Sequence, residues 1–210
     1  MGTLHLESSR VSASFTRGVG RLVLERPEAL NALDLGMVRG LREALEAWRD
    51  DPDIERILLE GAGDRGLCAG GDVRGLAESI MSGNAEGAGA FFREEYALNA
   101  AIAEYPTPIV ALADGVTMGG GIGLAGHAAV RIVTERSALA MPETRIGFTP
   151  DVGGTWLLAR APGRLGEYLA LTGGTMTAAD AIYAGFADLL VPSERLDAVR
   201  EALESRADPG

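Results

Sequence analysis

The chain has 210 residues, enough for one domain with a sizeable core, and its 47% hydrophobic and 23% charged residues are ordinary for a globular protein. A formal charge of −11, with all 19 basic residues arginine, argues against nonspecific nucleic-acid binding. No apolar run approaches the ~20 residues of a membrane span, and the start, MGTLHLESSR, has neither a signal peptide's basic and apolar regions nor the sixth-position Ser or Thr of a myristoylation site.

In chain order, Val11–Phe15 and Arg21–Glu25 alternate as strands joined at Gly18–Gly20. Asp34 to Arg49 has helical spacing, with Val38, Leu41, Leu45 and Trp48 on one face, and Asp51-Pro52 ends it. A strand at Arg56–Glu60 runs into a glycine turn, Ala69-Gly70-Gly71, and Asp72 is placed to cap a helix from about Val73. GNAEGAG reads as a flexible link before a longer helix, Ala88 to Ala103, stopped by Tyr105-Pro106-Thr107-Pro108. A strand at Ile109–Leu112 precedes the triple glycine Gly119-Gly120-Gly121 and a short helix, and extended pieces follow at Val130–Val133 and Ala138–Ala140. Beyond Gly153 helices are expected near Thr155–Arg160, Leu165–Leu171, Ala178–Ala184 and Leu196–Glu204, with a short strand at Leu189–Val191. This alternation implies an α/β fold with right-handed crossovers.

Two glycine turns after strands let backbone N–H groups approach a ligand closely. With the acids Glu143 and Asp151 nearby, they form the minimum set for holding an oxyanion and moving a proton, which points to carbonyl chemistry. Gly121-Ile122-Gly123-Leu124-Ala125-Gly126 also matches G-x-G-x-x-G, but only two residues separate Gly126 from the extended piece that starts at about Ala129, where a dinucleotide site needs a crossover helix of ~10 or more. Cys68, the only cysteine, permits no intrachain disulfide, fits a reducing cytoplasm and reads as a small buried residue. His5 reads as solvated and His127 as structural; no Cys/His cluster has metal-ligand spacing, and no metal is expected.

Six segments, LERPEALNALDLGMV, CAGGDVRGL, FFREEYALN, DGVTMGGGIGL, MPETRIGFTPDVGG and YLALTGGTMTAADAIYAGFAD, run in order from about Leu24 to Asp188 and resemble the crotonase (enoyl-CoA hydratase/isomerase) superfamily. Within it they are most similar to the hydrolases of 3-hydroxyisobutyryl-CoA-like thioesters. The resemblance implies a crotonase-like repeated ββα spiral, one domain over 1–210 with a core of about 11–191. The usual C-terminal helical region is expected to be absent or shortened, leaving an incompletely covered acyl-CoA site. Further implications are an acyl-CoA substrate, hydrolysis of a short-chain 3-hydroxyacyl-CoA in valine catabolism, no cofactor beyond the CoA of the substrate, and homo-oligomers. An isomerase or other lyase, or a non-catalytic acyl-CoA-binding protein, are the alternatives.

By the same resemblance Gly71 and Gly120 donate N–H groups to the thioester carbonyl, although each could be a plain turn glycine. Glu143, stiffened by Pro142, matches the catalytic glutamate. Asp151, which could instead cap a helix, and Glu95, which could instead be a surface charge, match acids that contact the hydroxyacyl end; Glu94 is the solvated neighbour. Ala69 and Asp72, on the first glycine turn, are expected to contact substrate. Arg26, Arg65 and Arg74 are candidates for the CoA phosphates. Gly123 stands where similar hydratases carry a second catalytic glutamate. Glycine offers no acid or base, so a hydrolase is expected rather than a hydratase.

Overall fold

The computed structural model describes residues 2–8 and 10–205. Ten strands form two sheets. The larger has the order β1 (Gly2–Leu4), β2 (Val11–Thr16), β3 (Val19–Leu24), β4 (Arg56–Gly61), β6 (Ile109–Ala113), β8 (Val130–Val133) and β10 (Leu189–Leu190). The β1–β2 and β2–β3 pairs are antiparallel; every pair from β3 onward is parallel. The smaller sheet is parallel and joins β5 (Gly66–Cys68), β7 (Val116–Met118) and β9 (Ala138–Ala140).

Each turn of the chain therefore adds one strand to the large sheet, one to the small sheet, and then helix. After β4 and β5 come α2 (Val73–Met81) and α3 (Ala85–Ala103); after β6 and β7 comes α4 (Gly120–Ala125). After β8 and β9 come a one-turn 3-10 helix at Glu143–Ile146 and then α5 (Gly154–Arg160), α6 (Leu165–Thr172) and α7 (Ala178–Ala184). This is the repeated ββα spiral expected above.

The helix α1 (Leu35–Trp48) shows why these segments fold where they do. Asp34 Oδ1 accepts from Met37 N at 2.8 Å and so caps the first turn. Met37, Val38, Leu41, Ala44, Leu45 and Trp48 then form the buried stripe. All of β6 is buried, as a strand covered on both faces must be.

Two differences from the expected elements have clear causes. GNAEGAG is no flexible link: Asn84 Oδ1 accepts from Gly87 N at 3.0 Å, and the cap starts α3 at Ala85, one turn early. The three-residue strands β1, β5 and β7 are too short to show a period and exist through pairing with distant segments.

The second face of the large sheet is covered by α8 (Leu196–Glu204), with Leu196, Val199 and Leu203 against Val19, Leu58, Val110, Leu112 and Ile132. Glu60 of β4, 3% exposed, locks this helix down. It accepts from Arg21 Nε at 2.5 Å and from Arg200 Nε and Nη2 at 2.9 and 2.7 Å. Both arginines are partly exposed, so the ion pairs are worth less than fully buried ones. Glu60→Ala is expected to lower unfolding stability by about 2 kcal/mol and to speed amide exchange through Leu196–Glu204 while leaving exchange in α1 unchanged; urea denaturation with hydrogen-exchange mass spectrometry reads both.

Candidate active site

The two glycine turns meet backbone to backbone. After β5 the chain passes Gly70 at φ +105°, a conformation L side chains rarely adopt. Leu33 N donates to Gly70 O and Asp72 N to Leu33 O, each at 2.8 Å, which steps over the Gly71 N–H. After β7, Gly119 N donates to Ala140 O at 3.1 Å and Gly123 N to Gly119 O at 3.0 Å. Gly120, first residue of α4, has no carbonyl four residues back within the helix. Among the described residues, neither Gly71 N–H nor Gly120 N–H has an acceptor. A Cβ at Gly70 would lie 3.4 Å from Gly120 N, and one at Gly120 would lie 3.3 Å from Gly71 N and would strike the Glu95 carboxylate. The approach is open to glycine alone.

Both turns line a cleft of about 320 Å³, with α2, α3 and the segment around the 3-10 helix forming the other walls. Glu95, Glu143 and Asp151 all face into it, as do Ala69 and the two donor glycines. Glu95 lies on the buried stripe of α3 with Phe91, Leu98 and Ile102. It is 2% exposed, and its Oε1 has no hydrogen-bond partner. Burial, with Asp151 and Glu143 adding repulsion, pushes its pKa up to about 8. Glu143 begins the 3-10 helix behind Pro142; it is 5% exposed and its Oε2 is likewise unpartnered. Burial raises it to about 7, Asp151 adding to the effect. Asp151 is also raised by burial, although the Tyr96 hydroxyl donates to its Oδ2 at 2.7 Å and opposes the shift.

The expected site residues fall into two groups. Gly71, Gly120, Glu95, Glu143, Asp151 and Ala69 share the cleft. Asp72 does not line it: its carboxylate caps α2 through Gly75 N at 3.0 Å and accepts from Arg26 at 2.8 Å. That pairing occupies Arg26; Arg65 donates through Nη2 to the carbonyls of Pro27 and Glu28, and Arg65 and Arg74 are both exposed. Asp151 is not the cap of α5; Gly153 takes that place. Glu94, on the outer side of α3, pairs with Arg39 at 2.6 and 2.8 Å.

His127 is structural, its Nε2 lying 2.8 Å from Val152 O as donor to that carbonyl. Cys68 is fully buried, and burial pushes its thiol up to about 12. Four residues separate the end of α4 from β8, too few for a crossover helix of ~10 residues. Gly123 is closed to a side chain: its Cβ would sit 2.7 Å from Val152 Cβ and 2.8 Å from Asn99 Nδ2.

Two residues were missed from the sequence. Tyr96 holds Asp151, and Asn99, 4% exposed, has both ends of its amide unpartnered one turn beyond Glu95. The only signal was position: a polar residue at 99 interrupts the apolar stripe of α3, as Glu95 does. Among the described residues no group of His, Cys, Asp and Glu is arranged to hold a metal ion, and no helix is long and apolar enough to cross a membrane.

With the spiral, the paired turns and the three acids in place, comparison with known proteins decides the family. The profile of the enoyl-CoA hydratase/isomerase family matches residues 19–209. The chain belongs to that family. The curated 3-hydroxyisobutyryl-CoA hydrolase, mitochondrial, of Rattus norvegicus is 45% identical over 205 residues, 98% of this chain and 53% of its own length. The protein of that name from Homo sapiens is 45% identical over 190 residues, 90% of this chain and 49% of its own. Among solved structures, a carnitinyl-CoA dehydratase from Mycobacterium thermoresistibile superposes with a TM-score of 0.91 at 48% identity, covering 95% of this chain and 58% of that one. An enoyl-CoA hydratase from Rhodobacter sphaeroides 2.4.1 does so with a TM-score of 0.90 at 48% identity, covering 93% and 58%. The chain spans about half the length of the curated relatives it matches. As a member of the enoyl-CoA hydratase/isomerase family it keeps two unpartnered turn N–H groups beside buried carboxyls.

A buried carboxyl raised above its unfolded value contributes stability that is present below the ordinary range near 4.5 and is lost as pH rises through the folded value. For Glu95 that window runs up to about 8. Glu95→Gln is therefore expected to stabilise the chain, relative to the parent, by an amount that grows from pH 5 to pH 8.5 and reaches on the order of a few kcal/mol. Urea unfolding at three pH values measures it; a difference that does not change with pH would show that the carboxyl is not strained.

Proposed function

We propose that the chain catalyses hydrolysis of a short-chain 3-hydroxyacyl-CoA thioester, 3-hydroxyisobutyryl-CoA in kind, to the free acid and CoA. The observation that carries this reading is the cleft itself: two free backbone donors facing a buried, unpartnered Glu143, with Gly123 closed where a hydratase needs its second carboxylate. The curated hydrolases at 45% identity support it.

In this mechanism the N–H groups of Gly71 and Gly120 form an oxyanion hole for the thioester oxygen. Each such donor is worth about 3 kcal/mol in the transition state. Glu143, with a pKa near 7, is poised as a base at neutral pH. In one route it takes a proton from water as the oxygen adds to the carbonyl carbon; the oxyanion collapses, the C–S bond breaks, and the proton passes to the departing thiolate. In the other, the Glu143 carboxylate itself adds, the thiolate leaves, and water then cleaves the mixed anhydride. Both consume one water and yield one acid and one thiol. Asp151, oriented by Tyr96, and Glu95 hold the 3-hydroxyl.

No resident cofactor enters the scheme, and valine catabolism is the pathway the substrate implies. A single domain, a cytoplasmic location and self-association belong to the same proposal; the curated relatives carry "mitochondrial" in their names. The rim of the cleft exposes Val73, Ile80, Ile146 and Phe148, apolar surface that a second copy or further chain would cover.

The dehydratase and hydratase among the solved structures favour a second reading, a lyase or isomerase using Glu143 alone. A thiol-release assay with 3-hydroxyisobutyryl-CoA separates the readings: free thiol supports hydrolysis, a rearranged thioester the lyase or isomerase, and binding without turnover a non-catalytic protein. Glu143→Gln is expected to lower thiol release by at least ~100-fold with the melting temperature and CoA-ester binding retained; near-normal turnover would remove Glu143 from the mechanism. Crotonyl-CoA is expected to keep its enoyl absorbance in the presence of the chain, and hydration at ~10 s⁻¹ or faster would require another residue to act as the missing acid.

A further inference from the structure

The acyl cleft has an unusual charge balance. Glu95, Glu143 and Asp151 line it, and among the described residues no lining residue is basic. Glu95 Oε1 and Glu143 Oε2 are buried acceptors with nothing donating to them. Asp151 accepts from the Tyr96 hydroxyl, which lies outside the lining. An ionised carboxylate only accepts and a protonated one has a single hydrogen to give, so three acids together offer more acceptors than donors and favour an entering group that brings donors. Three rings, Phe91, Phe92 and Phe148, share the apolar lining with aliphatic residues such as Val73, Ile80, Ile146 and Val152; Phe92 lies 5.5 Å from Phe91 and 5.8 Å from Phe148, centroid to centroid.

We propose that the acyl end of this cleft selects by charge and donor capacity: it accepts acyl groups bearing a hydroxyl or an ammonium at the 3-position and excludes those bearing a carboxylate there. This rests on the acyl-CoA reading above in seating the acyl group between the glycine turns and the three acids. A 3-hydroxyl supplies one donor to the orphaned oxygens, and a 3-ammonium supplies three donors and a compensating charge. A 3-carboxylate supplies none and adds a fourth acid to a site that offers no cation. At about 5 Å and an effective dielectric near 20, each added like-charge pair costs about a hundredfold in affinity. A 3-ammonioacyl-CoA is thus a further ligand class for this site, and a malonyl-type thioester is not a ligand.

The test uses three CoA thioethers of one shape, CoA–S–CH2–CH(CH3)–X, with X as CH2OH, CH2NH3+ or COO−. A methylene replaces the thioester carbonyl, so none is turned over. Binding to the unaltered chain is measured by calorimetry at pH 8. The hydroxyl and ammonium ligands are expected to bind within tenfold of each other, and the carboxylate ligand at least ~100-fold more weakly than the hydroxyl. Asp151→Asn, which keeps shape and removes one charge, is expected to narrow that gap. Carboxylate binding within tenfold of the hydroxyl overturns the proposal, as does ammonium binding as weak as that of the carboxylate. Thiol release from 3-hydroxyisobutyryl-CoA is measured alongside. The expected binding order without thiol release would sink the hydrolase reading and leave this proposal standing; thiol release with a flat order would do the reverse. No binding by the hydroxyl ligand removes the acyl-CoA reading of the cleft and the proposal with it.

Discussion

Everything at the cleft depends on two stretches of backbone passing closer than side chains allow. The turn at Ala69–Gly71 ends the first strand pair of the spiral, and the turn at Gly119–Gly121 ends the second. Their parent strands, β5 and β7, are hydrogen-bonded neighbours in the small sheet, so the turns leave it side by side. With no Cβ at Gly70 or Gly120, the two segments touch and two N–H groups remain for a ligand. A fold in which each repeat ends one strand over from the last places such turns in a row. The third strand, β9, ends just before Met141-Pro142-Glu143 and delivers the carboxylate to the same edge. The two free N–H groups and the Glu143 carboxyl are therefore three successive products of one repeating topology.

The acids are held against their own solvation preference. Glu95 and Glu143 are as buried as core leucines, yet each keeps an oxygen with nothing to bond, and their raised pKa values record that cost. A stability optimum would place leucine or methionine there. The polar interruption of an otherwise apolar helix stripe at Glu95 and Asn99 is what a binding surface looks like from the core side.

Much of this was legible from the residues because the informative signals are local. Asp34, with Val38, Leu41, Leu45 and Trp48 behind it, fixes a helix to within a residue, and glycine-rich turns after apolar runs mark where backbone is exposed. Glu143 and Asp151 stood out beside those turns, and the order of six motifs named the spiral. What stayed hidden depends on partners far along the chain. The strands β5 and β7 are defined by each other, with 49 residues between the paired Gly66 and Val116. Asp72 shares a turn with Gly71 but points to Arg26, and only the fold shows that its carboxylate is spent on a helix cap and an ion pair. Tyr96 lies in the FFREEYALN segment, but nothing local marks its role, which appears once the loop holding Asp151 is folded over it.

The packing around Gly123 has a consequence for how chemistries within this family interconvert. Adding the second carboxylate of a hydratase looks, on paper, like a one-codon change. In this fold a side chain at 123 collides with Val152 and with the Asn99 amide, both of them buried. Acquiring that glutamate requires room to be made on α3 and on the loop after Asp151 first, and each of those changes disturbs a group beside an acid already in place. A change at 123 is thus tied by sterics to changes at Asn99 and Val152, and the three positions behave as one unit.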